Sequence, residues 1–531
     1  MSLPQPGHTT FSTLMNNIEN GLIKIPQFQR EFIWEKWKCA DLLDSIIKCY
    51  PIGTFILWKT KERLRSIRNI GGINLPDPPQ GDFVQYILDG QQRITAIYAT
   101  LKGLTIKRNN GSIDNLDEIY VDLQASEDQQ IIITDISNKT KDDIIKLTDL
   151  LKGELTQLAN MPKIHHNKLQ DYKQRIESYN FPTILVDNAP IDVATEIFTR
   201  INIGGKPLTV FEIMVAKTFD AAKDFDLAEK YMDLINSLEQ LEYDTISEST
   251  VLQTISVILR RDCTKKTILR LNKNEFIRIW PEAVDAIEHA VEYFRNYYRI
   301  PVSQLLPYNA LLVPFAYFFY INKNKPNSTQ KKYLQDFFWR TSLSERYSFA
   351  LETKIGQDIE RIDIILKGNL PNYDYQIDIS PQTILDNGWF STGRSYIKAI
   401  LCIYAYKEPK SFHDNSIVKI SNYWLKKANS KNYHHFFPRK YLERMGVSQD
   451  LINNIINITI VDDYLNKREI RALAPSKYMS KFLKNNHDLN QTMKTHLINN
   501  INQYGIWNDD YDRFLKKRAK AVSQEIKKRI Q

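Results

Sequence analysis

The stretch FVQYILDGQQRITAIYATL, residues 83–101, places a β pattern directly before a helical one. Residues 83–88 are rich in strand-forming side chains, and Asp89-Gly90 after them is a turn signal. The apolar spacing of Ile94 to Leu101 then predicts a helix. A strand joined to a helix by a glycine turn indicates a domain that mixes α and β structure.

Two further patterns extend this mixed region. Thr183-Ile184-Leu185-Val186 predicts a second strand. Thr209 and Glu212 have the spacing of a capping box, in which Thr209 caps a helix and Glu212 reaches back to it. We therefore predict an N-terminal α+β domain over residues 1–215.

Two more regions follow along the chain. Residues 216–375 carry apolar side chains at helical spacing, for example at Leu234 and Leu238, and predict a helical linker or scaffold. Residues 376–531 contain the apolar helical run Tyr396 to Tyr406 and a basic helical stretch from Tyr511 onward. The predicted fold class is therefore an α+β multidomain protein.

The composition of the 531 residues, 43% hydrophobic and 25% charged, is that of a soluble globular protein with two to four domains. The four cysteines form no C-x-x-C pair, so neither a zinc ribbon nor a disulfide framework is expected. The sequence contains neither a secretory signal nor an apolar run long enough to cross a membrane. A cytoplasmic location is expected.

The net charge of +9 is concentrated near the end of the chain. Residues 401–531 contain 24 Lys and Arg against 12 Asp and Glu, whereas the first 400 residues contain 47 against 50. Such a segment attracts polyanions, of which the nucleic-acid backbone is the most common. The alternative is a solvated basic surface without a partner.

The stretch NYHHFFPRK, residues 432–440, lies in this basic region and holds two adjacent histidines. Downstream, Ile455 to Val461 predicts a strand, and Asp462 to Arg468 predicts the start of a helix. A hairpin followed by a helix can bring distant side chains to one point. His434 and Asn466 would then hold a divalent cation, and His435 would take a proton from water attacking a phosphate.

These residues resemble the ββα-metal fold of HNH endonucleases, in particular the branch at the C-terminus of GmrSD-like type IV restriction enzymes. The resemblance implies that His435, three residues before Pro438, is the general base. It also implies that His434 and Asn466 hold the cation, Mg²⁺ or Mn²⁺, and that Asn457 is a catalytic-site residue supporting the loop. The second histidine pair, His165-His166, lacks this pattern and is predicted to lie on the surface.

The segment Asp89-Gly90-Gln91-Gln92-Arg93 is a second candidate site. Gly90 permits close approach of a ligand, and Arg93 can fork onto a phosphate. Gln91 and Gln92 can orient a base or water, while Asp89 can bind a cation or a ribose hydroxyl. An equally weighted alternative is that Asp89 caps the helix and pairs with Arg93 four residues later.

The segments IPQFQREFIW (25–34), DGQQR (89–93) and FTRINIGG (198–205) are similar to the ParB/sulfiredoxin-like domain that begins GmrSD-like proteins. The resemblance implies binding and hydrolysis of a nucleoside triphosphate, GTP or ATP. The DGQQR residues are its first candidates, with Arg30 and Asn202 as weaker ones. Since no Walker A motif is present, the phosphate cradle must be of another kind.

Together the resemblances imply a modification-dependent, type IV-like DNA endonuclease of anti-phage defence. Its expected partners are double-stranded, modified phage DNA and a nucleoside triphosphate, and a homodimer would account for double-strand breaks. Two alternatives remain open at this stage. One is a nicking nuclease that senses phosphorothioate DNA, and the other is a non-enzymatic, nucleotide-regulated DNA-binding protein.

Overall fold

A computed structural model describes most of the chain, in two compact units, Met1–Leu227 and Ala228–Gln531. In this part of the chain no helix has the length and apolar character needed to cross a membrane. Three predicted site residues, Arg30, Asn202 and Asn466, lie outside the described residues, as does the helix predicted over 462–468. The described residues are 4–26, 32–64, 66–67, 69–70, 73–79, 81–107, 113–153, 158, 160–201, 209–420, 433–461 and 470–531.

The first unit is built on a mixed six-stranded sheet, in the order β1-β13-β3-β7-β2-β4. Strands β13 and β3 pair in parallel, as do β7 and β2, and the other neighbours are antiparallel. The strands are Gln5–Thr10 (β1), Ile23–Pro26 (β2), Phe55–Thr60 (β3), Ser66–Ile67 (β4), Asn69–Ile70 (β5), Ile73–Asn74 (β6), Val84–Asp89 (β7), Thr105–Lys107 (β8), Ile113–Asn115 (β9), Tyr120–Asp122 (β10), Ile132–Ile133 (β11), Ile144–Lys146 (β12) and Asn180–Asp187 (β13).

Helices cover this sheet and enclose an apolar core with it. The core includes Leu14, Leu43, Ile97 and Ile176, each from a different helix, and Phe181 from β13. Burial of such amphipathic helix faces is the main source of stability for a sheet of this kind. The helices are Phe11–Glu19 (α1), Lys36–Ile47 (α2), Gln91–Lys102 (α3), Leu147–Lys152 (α4), His166–Glu177 (α5), Ile191–Ile201 (α6) and Val210–Thr218 (α7).

The predicted strands, the helix after Gly90 and the capping box of this unit are confirmed. Strand β7 and helix α3 follow one another as predicted, but the helix begins at Gln91, three residues before the predicted apolar run. Gly90, at φ 95°, permits this because it turns the chain in a left-handed conformation that other residues rarely adopt. Strand β13 contains the second predicted strand, and Thr209 and Glu212 form the capping box.

One prediction for this unit is wrong. The pair His165-His166 was expected on the surface, but His165 is buried. Its Nε2 lies 3.4 Å from Asp143 Oδ1, and His166 Nε2 donates to the carbonyl of Met161 over 2.8 Å. Each ring is thus anchored within the fold, which removes the polar cost of burying it.

The second unit is mainly helical, with one two-stranded hairpin. Helix α12 is apolar on every side and is buried through most of its length, as expected for the central helix of a bundle. The hairpin consists of Tyr433–His435 (β14) and Ile458–Ile460 (β15). The helices are Leu227–Glu239 (α8), Glu248–Arg260 (α9), Lys265–Arg270 (α10), Lys273–Asn296 (α11), Leu312–Asn322 (α12), Ser328–Leu343 (α13), Leu351–Leu366 (α14), Pro381–Asp386 (α15), Ser395–Tyr406 (α16), Arg439–Arg444 (α17), Gln449–Ile452 (α18), Pro475–Asn485 (α19), Leu489–Thr495 (α20) and Tyr511–Lys527 (α21).

Helices α16 and α21 confirm the helices predicted over 396–406 and from Tyr511 onward. The predicted strand over 455–461 is shorter than expected, because Ile455–Asn457 is a 3₁₀ turn and only Ile458–Ile460 is strand. The side chain of Asn454 causes the turn, since its Oδ1 accepts a hydrogen bond from Ile456 N over 3.0 Å. Asparagine favours such local side-chain caps over continued strand pairing.

Candidate functional site

The histidine pair lies on the first strand of the hairpin in the second unit. His434 pairs with Thr459 and His435 with Ile458 in antiparallel register. His435 is the last residue of its strand, and the chain turns away through Phe436 and Phe437 to Pro438. Neighbouring side chains on a regular strand point to opposite faces, and the pair lies at the end of a three-residue strand, where regular pairing stops.

His435 is half-buried and is held by Asn453 across the hairpin loop. Its Nε2 lies 3.2 Å from Asn453 Oδ1, and Asn453 Nδ2 donates to the carbonyl of Phe390 over 3.2 Å. The second bond fixes the amide with its oxygen toward the imidazole, so the ring donates from Nε2–H. His435 then carries a lone pair on Nδ1, which is the form that a general base requires.

The surroundings of His435 favour the neutral ring. Burial lowers the pKa of His435 below its usual value of 6.5. The hydrogen bond to Asn453 acts in the opposite direction, and the charge of Arg439 lowers the pKa further. Because a depressed pKa keeps the ring unprotonated at neutral pH, His435 is available to accept a proton.

Asn457 is fully buried and staples the loop between the two strands. Its Nδ2 donates to the carbonyls of Phe437 over 3.1 Å and Ile452 over 3.0 Å, while its Oδ1 accepts from Phe437 N over 2.9 Å. The backbone carbonyl of Asn457 also accepts from Phe436 N over 2.7 Å. These bonds fix the residues that follow His435, and they occupy the amide of Asn457 with backbone partners.

His434 is buried, and the strand that faces it is held by a second histidine. Its cross-strand partner Thr459 bonds through Oγ1 to Nδ1 of His496 over 2.6 Å, and His496 Nε2 donates to the carbonyl of Lys410 over 2.8 Å. Burial lowers the pKa of His496 to about 3. His496 is therefore neutral at physiological pH and acts as a structural bridge.

Among the described residues, no group of three or more His, Cys, Asp or Glu side chains is arranged to hold a metal ion. Of the two predicted cation ligands, His434 belongs to the described hairpin and Asn466 does not. Mg²⁺ prefers oxygen donors. A cation at this hairpin would therefore take oxygen ligands in addition to the imidazole, and the amide of Asn466 is the predicted one.

Arg518 is a buried cation beneath the hairpin that the sequence analysis missed. Its Nη1 donates to the carbonyls of Ile456 and Ile458, both over 2.6 Å, and its Nε donates to the carbonyl of His496 over 3.1 Å. The guanidinium also lies 4.8 Å from the ring centroid of Tyr404. A charged group on the apolar stripe of helix α21 was the signal in the sequence, because polar residues at buried helix positions usually have a specific partner.

Exposed basic residues lie on the elements that flank the hairpin in the fold. Arg439 and Lys440 follow Pro438 directly, and helices α19 and α21 each carry exposed lysines on the face opposite their buried one. The hydroxyl of Tyr478 on α19 donates to the carbonyl of Phe436 over 2.5 Å, which fixes that helix beside the histidine strand. The exposed basic residues on these helices are Lys477, Lys481, Lys484, Arg513, Lys516, Lys517, Lys520 and Lys527.

In the first unit, the turn of the DGQQR segment is held by Arg93. Its Nη1 donates to the carbonyl of Ile52 over 2.7 Å, and its Nη2 donates to the carbonyl of Thr54 over 3.2 Å and to Asp89 Oδ2 over 3.0 Å. The guanidinium also lies 5.3 Å from the ring centroid of Phe55. The predicted Asp89–Arg93 pair is present, but Gly90 and not Asp89 is the N-cap of the helix.

The two glutamines of this segment differ in exposure. Gln91 is buried, whereas Gln92 is half-buried and its Oε1 accepts a hydrogen bond from Ile33 N over 2.9 Å. Ile33 follows the part of the IPQFQREFIW segment that lies outside the described residues, so Gln92 links the two motif segments. The backbone amides at the start of α3 are the groups that would face an anion here, because the fork of Arg93 is engaged by protein oxygens.

Comparison with known proteins identifies the first unit. Residues 11–219 match the family described as the N-terminal domain of GmrSD restriction endonucleases. This range coincides closely with the compact unit Met1–Leu227. Residues 11–219 are therefore similar to the N-terminal domain of GmrSD restriction endonucleases, a class of protein that implies DNA as a partner.

A similar protein in an archaeon extends over both units. The uncharacterized protein MJ0686 of Methanocaldococcus jannaschii is 23% identical over 596 aligned positions, covering 97% of each chain. The likeness therefore includes the helical unit with the histidine hairpin as well as the matched N-terminal domain.

Proposed function

We propose that the protein is a modification-dependent DNA endonuclease whose cleaving site is an HNH-type ββα-metal site at the histidine hairpin. The observation that carries the proposal is the state of His435: it ends a strand, is kept neutral by burial, and is aimed by Asn453. The GmrSD-like N-terminal domain supports a restriction enzyme as the class. The exposed basic residues around the hairpin support a DNA backbone as its partner.

In the proposed reaction, His435 Nδ1 takes a proton from a water molecule as the water oxygen attacks phosphorus. The bond from phosphorus to one sugar oxygen then breaks, and that oxygen takes a proton from solvent. Asn453 keeps Nε2–H donating throughout, and Asn457 keeps the loop after His435 in place. Arg439, which pairs with Glu443, and Lys440 lie in the residues that follow and would bind the phosphate chain.

A divalent cation, Mg²⁺ or Mn²⁺, held by His434 and Asn466 would stabilise the negative charge that builds on the phosphate. In the N-terminal unit, the DGQQR segment would bind and hydrolyse GTP or ATP, with the backbone amides at the start of α3 facing the phosphates. Arg30 and Asn202 remain weaker candidates for the same nucleotide.

The experiment that tests the proposal is a nicking assay on supercoiled plasmid, with Mg²⁺, Mn²⁺ or a chelator. We expect cleavage with either cation and none with the chelator. Parallel reactions on glucosylated, methylated, phosphorothioate and unmodified DNA identify the recognised mark. DNA binding without cleavage of any of these substrates would contradict the nuclease and favour a DNA-binding regulator.

A further inference from the structure

One cavity in the described part of the second unit is lined by no residue of the histidine hairpin. It has a volume of about 500 Å³ and opens between helix α11, the end of α12 and the segment that leads into α13. Cavities of roughly 300–1,000 Å³ are the usual size of small-molecule sites. None of the residues that the proposed nuclease uses lines it.

One wall of the cavity is aromatic. The rings of Tyr293 and Tyr297 on α11 stack with centroids 4.9 Å apart and planes 15° apart. His289 on the same helix stacks on Phe319 of α12, with centroids 6.1 Å apart. Flat, nearly parallel ring systems offer faces on which a planar heterocycle stacks.

Polar groups accompany this wall along α11. Asn296 Nδ2 lies 3.5 Å from Glu292 Oε1, and Asp285 Oδ2 lies 3.4 Å from His289 Nδ1. The carboxylates and the amide oxygen can accept hydrogen bonds from the amino groups of a heterocycle, and the amide NH2 of Asn296 can donate to its carbonyls. These residues recur every three or four positions, so they form one stripe of the helix.

The opposite side of the cavity is basic. Lys323, Lys325 and Lys331 line it from the end of α12 and the start of α13. Lys323 pairs with Glu282 over 3.1 Å, whereas Lys325 and Lys331 form no ion pair with any carboxylate in the described residues. Two uncommitted ammonium groups facing a polar aromatic wall suit a ligand that is planar at one end and anionic at the other.

We propose that this cavity is a nucleotide-binding site, with the base against the Tyr293 and Tyr297 wall and the phosphate at Lys325 and Lys331. Two sources share this chemistry. One is a free mononucleotide, and the other is a nucleotide rotated out of DNA, for which stacking and polar contacts replace those of the duplex. The site is separate from the proposed nuclease and from the DGQQR segment.

The test measures binding of the four deoxynucleoside monophosphates to the full-length chain by calorimetry. The chain carries Asp89→Ala, so that the proposed N-terminal nucleotide site does not contribute. Lys331→Glu is compared with Lys332→Glu, a matched control because Lys332 is exposed on the same helix and does not line the cavity. Thermal melting of both variants checks that each is folded.

A second arm uses duplex DNA with 2-aminopurine, whose fluorescence rises when the base leaves the stack. For a free nucleotide we expect Lys331→Glu to weaken monophosphate binding at least tenfold and Lys332→Glu less than twofold. For a DNA nucleotide we expect a fluorescence rise that Lys331→Glu abolishes and Lys332→Glu preserves. The proposal is overturned if neither probe responds, or if both variants lower the response equally.

Discussion

The turn at Asp89-Gly90 and the histidine hairpin are both polar segments at the end of a strand, but their functional groups are used differently. In the first, the guanidinium of Arg93 is taken up by two backbone carbonyls and Asp89. In the second, Asn453 bonds the imidazole of His435 at Nε2 and Asn457 holds the loop backbone, and Nδ1 of His435 is the atom that we propose as proton acceptor. The reactive groups of a polar motif can bind a ligand only where other residues hold the backbone in their place.

The largest expected effect is on cleavage by His435→Ala. Loss of a positioned general base lowers rates by about 10²–10⁴-fold, and binding of DNA is expected to stay within about twofold. His487→Ala is the control, because His487 is exposed in the same unit. The measurement is the single-turnover nicking rate; equal rates for the two variants would remove His435 from the reaction.

Asn457→Ala tests whether the hairpin loop depends on one amide. It leaves three buried backbone groups of Phe437 and Ile452 without a partner, and we expect a loss of about 3 kcal/mol in the free energy of unfolding. Chemical denaturation measures it, with the exposed Asn499→Ala as a control that changes stability by less than about 0.5 kcal/mol. An equal loss of unfolding free energy in both variants would mean that the hydrogen bonds of Asn457 contribute nothing specific to stability.

Arg93→Met tests the other side of the comparison. Because it removes three intramolecular bonds of a half-buried guanidinium, we expect about 2 kcal/mol less stability. Asp89→Ala removes one of these bonds, and we expect it to abolish nucleotide turnover with a smaller loss of stability. If Asp89→Ala leaves nucleotide turnover unchanged, the DGQQR segment is structural. If Arg93→Met abolishes turnover without lowering the free energy of unfolding, the guanidinium of Arg93 binds phosphate and does not hold the turn.

Asn453→Ala is expected to lower the nicking rate about tenfold, because one hydrogen bond of about 1.4 kcal/mol orients the imidazole. Asn453→Asp keeps an acceptor toward Nε2–H and should recover most of the rate. This recovery separates orientation of His435 from a general effect on folding. Equal losses in both variants would show that Asn453 matters for the loop alone.

Much of the fold was predictable from local patterns. The strand and helix around Asp89-Gly90, the capping box at Thr209 and the helix at Tyr511 each depend on residues close in sequence. The order of the six strands was not, because pairs such as β13 with β3 join residues more than a hundred positions apart. Periodicity within one segment carries no information about such partners.

The candidate site was predictable in part. The adjacent histidines and Asn457 stand out by residue type and spacing. Nothing in the local sequence distinguishes Asn453 from other asparagines, because its orientation depends on a hydrogen bond to the distant carbonyl of Phe390. The burial of His165 was not predicted, because its partner Asp143 lies 22 residues earlier in the sequence and no local pattern indicates the contact. The cavity along α11 was missed because its stripe of polar and aromatic residues also fits an exposed helix face.

The most direct test of the neutral His435 as proton acceptor is the pH dependence of single-turnover cleavage at saturating cation. Because burial lowers the pKa of His435, the unprotonated base persists as the pH falls below 6.5 and is lost only when the pH passes through the depressed value. We expect an acid limb whose midpoint lies below 6.5. A midpoint above 6.5, or a rate that does not fall in acid, would contradict the assignment.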